Sequence, residues 1–479
     1  MPTLCIQNVL TLAPCGRRRV EAAFDGGLTT SDAGVVLLRE AARRRSFFAR
    51  VATCFSDFRS LAHVEHTLEE LLAQRSLGIA CGYEDLNDHT TLRYDPALAL
   101  ATGKAEPMGT NRRQERNRGR ALAGSATLNR IELAPEALDP KRRDLKTLHD
   151  PSAIEDLLVE LFLDAYDEAP AELVLDLDAT DDLIHGHQEG VFYHGYYRGY
   201  CDLPLYIFCG EPLLVAKLRT AVQDGAGGSL EEVERVVGRI RERWPDVKVT
   251  LRADSGFCRD WLMSWCEGNA VDYIFGLARN SRLAGMIASE MAERVSQVEE
   301  TEEEARTFKE LRYRTLNSWS KARRVVAKVA AIPGKPNPRF VVTTFDQEAW
   351  VAKTLYEDLY CARGDRENRI KEQQLDLFAD RTSSRTMRSN QLRVWFSALA
   401  YILMNDLRRV GLAGTDLARD QVSTIRNRLL KIGARLTQSV RRVRISNERG
   451  CPEFCVNASS VRLRLERRCL RKKKRIWKR

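Results

Sequence analysis

From Glu172 to Asp178 the chain reads Glu-Leu-Val-Leu-Asp-Leu-Asp. Strand alternation puts Leu173, Leu175 and Leu177 on one face and Val174, Asp176 and Asp178 on the other. An unpaired charge inside a sheet is costly, so a buried strand does not ordinarily carry two acids on one face. A second segment repeats the pattern: Val247, Val249, Leu251 and Ala253 share a face, leaving Lys248, Thr250, Arg252 and Asp254 opposite. Each strand ends in an aspartate followed by small residues, Ala179-Thr180 and Ser255-Gly256. Two strand-end carboxylates in an α/β sheet are hard oxygen donors able to hold a divalent cation over the sheet edge.

The surrounding pattern predicts an α/β core that opens with an antiparallel meander. A polar loop rich in His and Gly runs to about Gly199, and apolar runs over 203–208 and 212–218 flank a Gly210-Glu211 turn, a hairpin signal. Residues 229–244 read as an amphipathic helix with Ser229 as N-cap and Glu232 completing a capping box. A strand over 247–254, a helix over 259–267 and a strand over 271–277 follow. After an acidic helical stretch at 281–305, β-rich runs at 307–315, 322–332 and 339–345 suggest a small sheet inserted into the core. Apolar helices at 391–408 and 422–436 complete the pattern. Nearer the N-terminus, helical spacing over 63–78 and a second short helix near Asp85, joined by the Gly82 turn, permit a DNA-reading helix pair.

Charge is unevenly spread. The net charge is +10, yet residues 441–479 hold fifteen Lys or Arg against three Glu, a local +12, so the other 440 residues sum to −2. Arg112, Arg113, Arg116, Arg118 and Arg120 form a second basic cluster among Asn and Gln. Both clusters are suited to lie along a polyanion, where Lys and Arg release condensed counterions. The longest uncharged apolar run, Trp395 to Met404, is about half the roughly 20 residues that span a bilayer, so no membrane segment is expected. The opening Met-Pro-Thr-Leu-Cys lacks the pattern of a secretory signal, which points to the cytoplasm. Twelve scattered cysteines imply reduced thiols, and Cys451 and Cys455 lack the partnering pair of a zinc site.

A third oxygen ligand is expected from a helix. Over residues 353–380, Tyr360, Arg363, Glu367 and Lys371 recur at steps of three and four and share a face. Leu355, Leu359, Ala362, Ile370 and Leu377 form the apolar stripe beside it. An acid flanked by a tyrosine and two bases suits a site for metal and phosphate, although the same spacing is that of a solvated helix with internal ion pairs.

Taken together, Leu175-Asp176-Leu177-Asp178-Ala179-Thr180, Leu251-Arg252-Ala253-Asp254-Ser255-Gly256-Phe257 and Tyr360-x2-Arg363-x3-Glu367 resemble the DDE signature of bacterial insertion-sequence transposases, most closely the thirteen-eighty family. Similar stretches are His185-Gly186-His187-Gln188-Glu189-Gly190, Cys201-Asp202-Leu203-Pro204-Leu205 and Ser389-Asn390-Gln391-Leu392-Arg393. The resemblance spans about Phe24 to Arg444. It implies a ribonuclease-H-like core with Asp178, Asp254 and Glu367 as catalytic and metal-binding triad, and a β-rich insertion between the second Asp and the Glu. Asp176 is the competing acid on the first strand. Where the family often has a lysine seven residues after the Glu, this chain has Gln374, and Lys371 lies one turn after it.

The expected cofactor is a pair of Mg²⁺ ions, with Mn²⁺ as a substitute, about 3.5–4 Å apart. The expected partners are double-stranded DNA, as terminal inverted repeats and target, and a second copy of the chain in a synaptic homodimer. The implied activity is cut-and-paste transposition by a bacterial, nucleoid-associated enzyme; a nuclease of the same fold and a non-catalytic DNA-binding descendant are the alternatives. Expected DNA contacts are Tyr360, Arg363, Lys371, Arg198, Arg388, Arg393, Arg112, Arg113, Arg116, Lys472, Lys473 and Lys474. Tyr193, Tyr196 and Tyr197 are candidates for stacking on bases, His185, His187 and His194 for a DNA-facing loop rather than zinc, and Trp319 for a wedge or a core residue. The expected organisation is a helical DNA-end-binding region and linker at 1–150, the first part of the core at 151–280, the insertion at 281–348, the second part at 349–440 and a basic tail at 441–479.

Overall fold

The computed structural model describes residues 9–23 and 25–447, with the backbone alone at 365–367 and 447. The chain divides into two compact units, one formed by Asp150–Ala398 and the other by Met1–His149 together with Leu399–Arg479.

In the first of these, strands β1 (Glu172–Ala179), β2 (Leu205–Phe208), β3 (Leu213–Lys217), β4 (Lys248–Ala253), β5 (Asp272–Leu277), β6 (Ala305–Tyr313), β7 (Arg323–Ile332) and β8 (Arg339–Thr343) share one sheet. Their order is β3–β2–β1–β4–β5–β8–β7–β6, and Lys335–Pro336 pairs onto β7. β2 is antiparallel to β1 and β3, while β4 runs parallel to β1 and β5 to β4. The leucine face of β1 and the matching face of β4 pack under helices Pro151–Leu163, Ser229–Arg243 and Asp260–Gly268, whose apolar stripes supply Phe162, Val236, Ile240 and Met263 to the core. The opposite face carries Ile274, Val326 and Val341 against Leu355 and Tyr356 of a helical stretch at 352–376.

Three local expectations are corrected. The β-rich runs after residue 305 are not a separate small sheet: β8 pairs antiparallel with β5, Phe275 opposite Val342, and extends the main sheet. Their composition explains this, because Val325, Val326, Ala327, Val329 and Ala330 are all buried, and a strand apolar on both faces needs cover on both. The helix at 229 starts from Gly228 in the left-handed conformation at φ 71°, with no side-chain cap; Glu232 instead pairs with Lys217 and Arg235. Residues 434–436 do not continue a helix but begin the strand Ala434–Ser439.

In the other unit that strand lies between Leu28–Thr30 and Arg442–Asn447, so segments from far ends of the sequence complete one sheet. Helix Leu68–Ala80 begins at a Thr67–Glu70 capping box, later than the spacing suggested, and every residue from Leu71 to Ala80 is buried. A helix enclosed on all sides has no face for a DNA groove, and its successor His89–Leu92 is a single turn, so the helix-pair expectation is set aside. Among the described residues no helix is long and apolar enough to cross a membrane.

Candidate active site

The parallel pairing of β1 with β4 sets Arg252 opposite Asp176. Two residues further along each strand, Asp178 and Asp254 stand at neighbouring C-terminal ends, where ligands of α/β sheets commonly bind. Asp178 is 8% exposed, and its Oδ1 accepts a hydrogen bond from the Ala179 amide at 3.0 Å. Asp254 caps the turn Ser255–Phe257, accepting from the Gly256 amide at 2.8 Å.

Asp176 plays a different part. Its carboxylate takes a bidentate pair from Arg252, at 2.6 and 2.8 Å, with both groups buried. The remaining Arg252 nitrogen donates to the Leu359 carbonyl at 2.6 Å. A planar guanidinium has the fixed geometry for such a double role, and it ties the 352–376 helical stretch to the sheet one residue before Tyr360.

From that stretch Arg363 reaches both strand ends, its Nη2 lying 3.7 Å from Asp178 Oδ2 and 3.6 Å from Asp254 Oδ2. Its pKa is raised: burial opposes the charged form, but Asp178, Asp254 and Tyr360 outweigh it. The Tyr360 hydroxyl bonds to Arg363, and burial pushes its own pKa up. This approach depends on Gly276, since a Cβ there would sit 2.7 Å from the Tyr360 hydroxyl and 2.9 Å from the Ser255 nitrogen. Position 367 follows Arg363 by four residues in the helix Gly364–Lys371, the spacing of one helical face. The stretch contains π-helical turns at Leu355–Tyr360 and Glu372–Asp376, and these turns rotate the apolar stripe. Leu355, Ile370 and Leu377 are buried as expected while Ala362 is exposed.

The donor set suits a hard divalent cation, because two carboxylates on adjacent strand ends offer oxygen ligands without soft sulfur or imidazole. Among the described residues, which leave out the Glu367 side chain, no group of three or more His, Cys, Asp or Glu is arranged to hold a metal.

Residues 12–466 match the family described as transposase DDE domain group 1. The chain belongs to this family. It is therefore a DDE transposase, an enzyme that acts on DNA. No curated protein matches the sequence. Among solved structures, a cryo-EM structure of a piggyBac transposase synaptic complex with hairpin DNA is similar at a TM-score of 0.38 and 12% identity, over 91% of this chain and 82% of that one.

The basic residues expected at DNA differ in their surroundings in this transposase. Arg112 points inward at 8% exposure, paired with Glu65 at 2.8 Å and hydrogen-bonded to His66. Arg113 is exposed and donates to the Ala62 carbonyl, and Arg116 is exposed beside Gln114. Arg393 donates to Ser383 Oγ at 2.9 Å, and Arg388 is half-buried. Their neighbours in the Ser389–Arg393 motif are structural: Asn390 bonds the Ser384 backbone, and Gln391 accepts from the Leu218 amide and donates to the Ala216 carbonyl, closing the β3 edge. Lys371 is exposed, and Gln374 donates to the Asp181 carbonyl. Lys472, Lys473, Lys474, Cys451 and Cys455 lie outside the described residues.

In the loop before residue 199, Arg198 is exposed and left-handed at φ 54°, its amide donating to the His194 carbonyl at 2.8 Å. Tyr196 is 83% exposed, whereas Tyr197 is half-buried with its pKa pushed up to about 12 by burial and by Asp181 and Asp178. Trp319 is a core residue, edge-on to Tyr313 at 5.7 Å with Arg323 over its ring. Sequence reasoning missed the Arg252 clamp. Its signal was present as opposite charges at Asp176 and Arg252, but only the strand register makes them neighbours.

Proposed function

We propose that this transposase cuts at the terminal inverted repeats of an insertion sequence and joins the freed 3′-hydroxyl ends to target DNA, with Asp178, Asp254 and Glu367 as its catalytic carboxylates. The observation that carries the reading is the pair of strand-end aspartates bracketed by Arg363. The order β3–β2–β1–β4–β5, with a leading antiparallel meander and a parallel second half, supports a ribonuclease-H-like core. The motif likeness supports placement in the thirteen-eighty family.

In this mechanism Asp178 and Asp254 supply oxygen ligands from rigid strand ends, and Glu367 adds a third from one turn beyond Arg363. Together these residues would hold a pair of Mg²⁺ or Mn²⁺ ions, which would supply Lewis-acid activation of the attacking water or 3′-hydroxyl and stabilisation of the leaving oxygen. Arg363 offers a fork of donors to the non-bridging phosphate oxygens, the role for which guanidinium is best shaped. Tyr360 orients Arg363, and Arg252 is a positioning residue that fixes the helical stretch through Leu359. Both steps are in-line displacements at a phosphodiester, so one site serves hydrolysis and joining. Pairing of two ends favours a homodimer, and the basic residues of 441–479 add sequence-independent affinity that weakens as salt rises. The bacterial nucleoid is the proposed place of action.

The test is incubation of the full chain with a library of end sequences and a target plasmid in Mg²⁺, followed by sequencing of joined products. Pre-cut ends that join support the transposase reading; cutting without joining indicates a nuclease. Activity that persists in Asp254→Asn and Glu367→Gln overturns the assignment of the carboxylates.

A further inference from the structure

Within the Met1–His149 segment a cavity of about 510 Å³ is lined by Arg59, Arg93, Arg112, Arg116, Arg130 and Lys146. These cations come from separated stretches of sequence, and the fold brings them around one opening. Asp57 neutralises Arg59 at 2.7 Å and Glu65 neutralises Arg112 at 2.8 Å. Arg93, Arg116, Arg130 and Lys146 have no carboxylate partner among the described residues. The cavity therefore carries a surplus of positive charge that nothing described in this unit balances.

Two further observations sharpen this. His66 in the cavity wall is held neutral far below its usual range, at about 2, by burial and then by Lys104, Arg112, Arg59 and Arg93. Burial is the larger cause, and the cations that add to it show positive charge converging on this wall. The Nε atoms of Arg93 and Arg112 are also buried without a hydrogen-bond partner among the described residues. The volume lies within the roughly 300–1,000 Å³ of small-molecule sites, more than a single phosphate group needs. Phe58 and Leu61, flanking Arg59 and Ser60 in sequence, are 52% and 88% exposed, as a surface that meets sugars and bases would require.

We propose that this cavity is a socket for the phosphodiester backbone of the DNA end, with Arg130 and Lys146 as the phosphate-contacting residues and the Glu65–Arg112 pair as its wall. The inference rests on the transposase reading for its ligand, and it centres the DNA contact of this region on Arg130 and Lys146, with Arg116 of the basic run on the same lining. Such a contact holds the end through its charge and carries no base preference of its own.

The experiment compares the full-length wild type with Arg130→Ala/Lys146→Ala, both exposed positions. Binding of a fluorescent end duplex and of an unrelated duplex is measured by anisotropy from low to moderate salt, with joining of pre-cut ends at saturating DNA as a separate readout. The double variant is expected to bind both duplexes about tenfold or more weakly, with the slope of log K against log salt reduced by about two. Unchanged affinity and slope in a variant that melts like wild type overturn the socket. So does stabilisation of the wild type by inorganic phosphate, lost in the variant, without any change in duplex binding, which identifies a site for a free anion. Failure of the wild type to join ends while the variant still loses duplex affinity overturns the transposition reading and leaves the socket standing.

Discussion

Asp178 and Asp254 share an arginine; Asp182 and Asp202, opposite one another on a short antiparallel ladder nearby in sequence, share none among the described residues. The second pair is 2% and 1% exposed, and Asp182 Oδ2 accepts from Thr382 Oγ1 at 2.8 Å while both Asp202 oxygens lack a hydrogen-bond partner among the described residues. Burial, with Asp202, Asp380 and Asp181 adding repulsion, pushes Asp182 up to about 8, and burial alone pushes Asp202 up to about 7. Two aspartates brought together by strand pairing thus meet different fates. A guanidinium between them makes a polar site open to ligands, and its absence makes a proton-holding pair inside the fold.

The sharpest way to break this comparison is to neutralise one member of each pair. Asp178→Asn or Asp254→Asn is expected to reduce end cleavage at least about 10³-fold, as for residues acting as a unit, while Asp182→Asn leaves it near wild type; a gel assay on labelled ends reads both. Equal losses in the two pairs would remove the distinction. Next comes Asp176→Asn, which leaves Arg252 charged and less well paired. A broken buried pair costs about 3–5 kcal/mol, so chemical denaturation should show a large loss of stability along with activity, in contrast to Asp254→Asn, where activity alone falls.

A smaller effect concerns cation affinity. Mg²⁺ at about 100 times its Kd should stabilise the wild type by about 2.7 kcal/mol, visible as a thermal shift reversed by chelator, and Asp254→Asn should abolish most of it. A shift that survives Asp254→Asn but not Asp202→Asn would place the cation at the wrong pair. The smallest is a pH effect. The folded pKa values of Asp182 and Asp202 lie above the ordinary 3.8, so their contribution is fully present below that value and is lost as pH rises through about 7–8. Melting temperature should therefore fall as pH rises from about 4 to about 8, and Asp202→Asn should flatten the decline and raise the melting point at pH 8 by roughly 2–4 °C per kcal/mol relieved.

How far the sequence revealed this follows from the range over which each interaction acts. Period-two alternation is local, so Leu173, Leu175, Leu177 and the acids opposite them were assignable at once, as was the hairpin around Gly210-Glu211. The proximity of Asp178 and Asp254 followed only as an expectation, since strand order is set by packing rather than by either strand. Register was out of reach, which is why Asp176 competed with Asp178 until Arg252 stood beside it. The π turns at 355–360 departed from an assumed 3.6-residue period and turned Ala362 outward. Arg112 misled because a basic run looks solvated from composition, and Glu65, its partner, lies 47 positions away in sequence, found only through tertiary contact.

The pairing of Leu28–Thr30 with Ala434–Ser439, secured by the Ala33 amide donating to the Ile432 carbonyl, bears on biosynthesis. At roughly 5–20 residues per second, about 20–80 s separate the ribosome's delivery of these two strands. The intervening sheet with its carboxylates is translated in full during that wait. A nascent chain therefore has the means to assemble its chemistry first and to finish its other unit last.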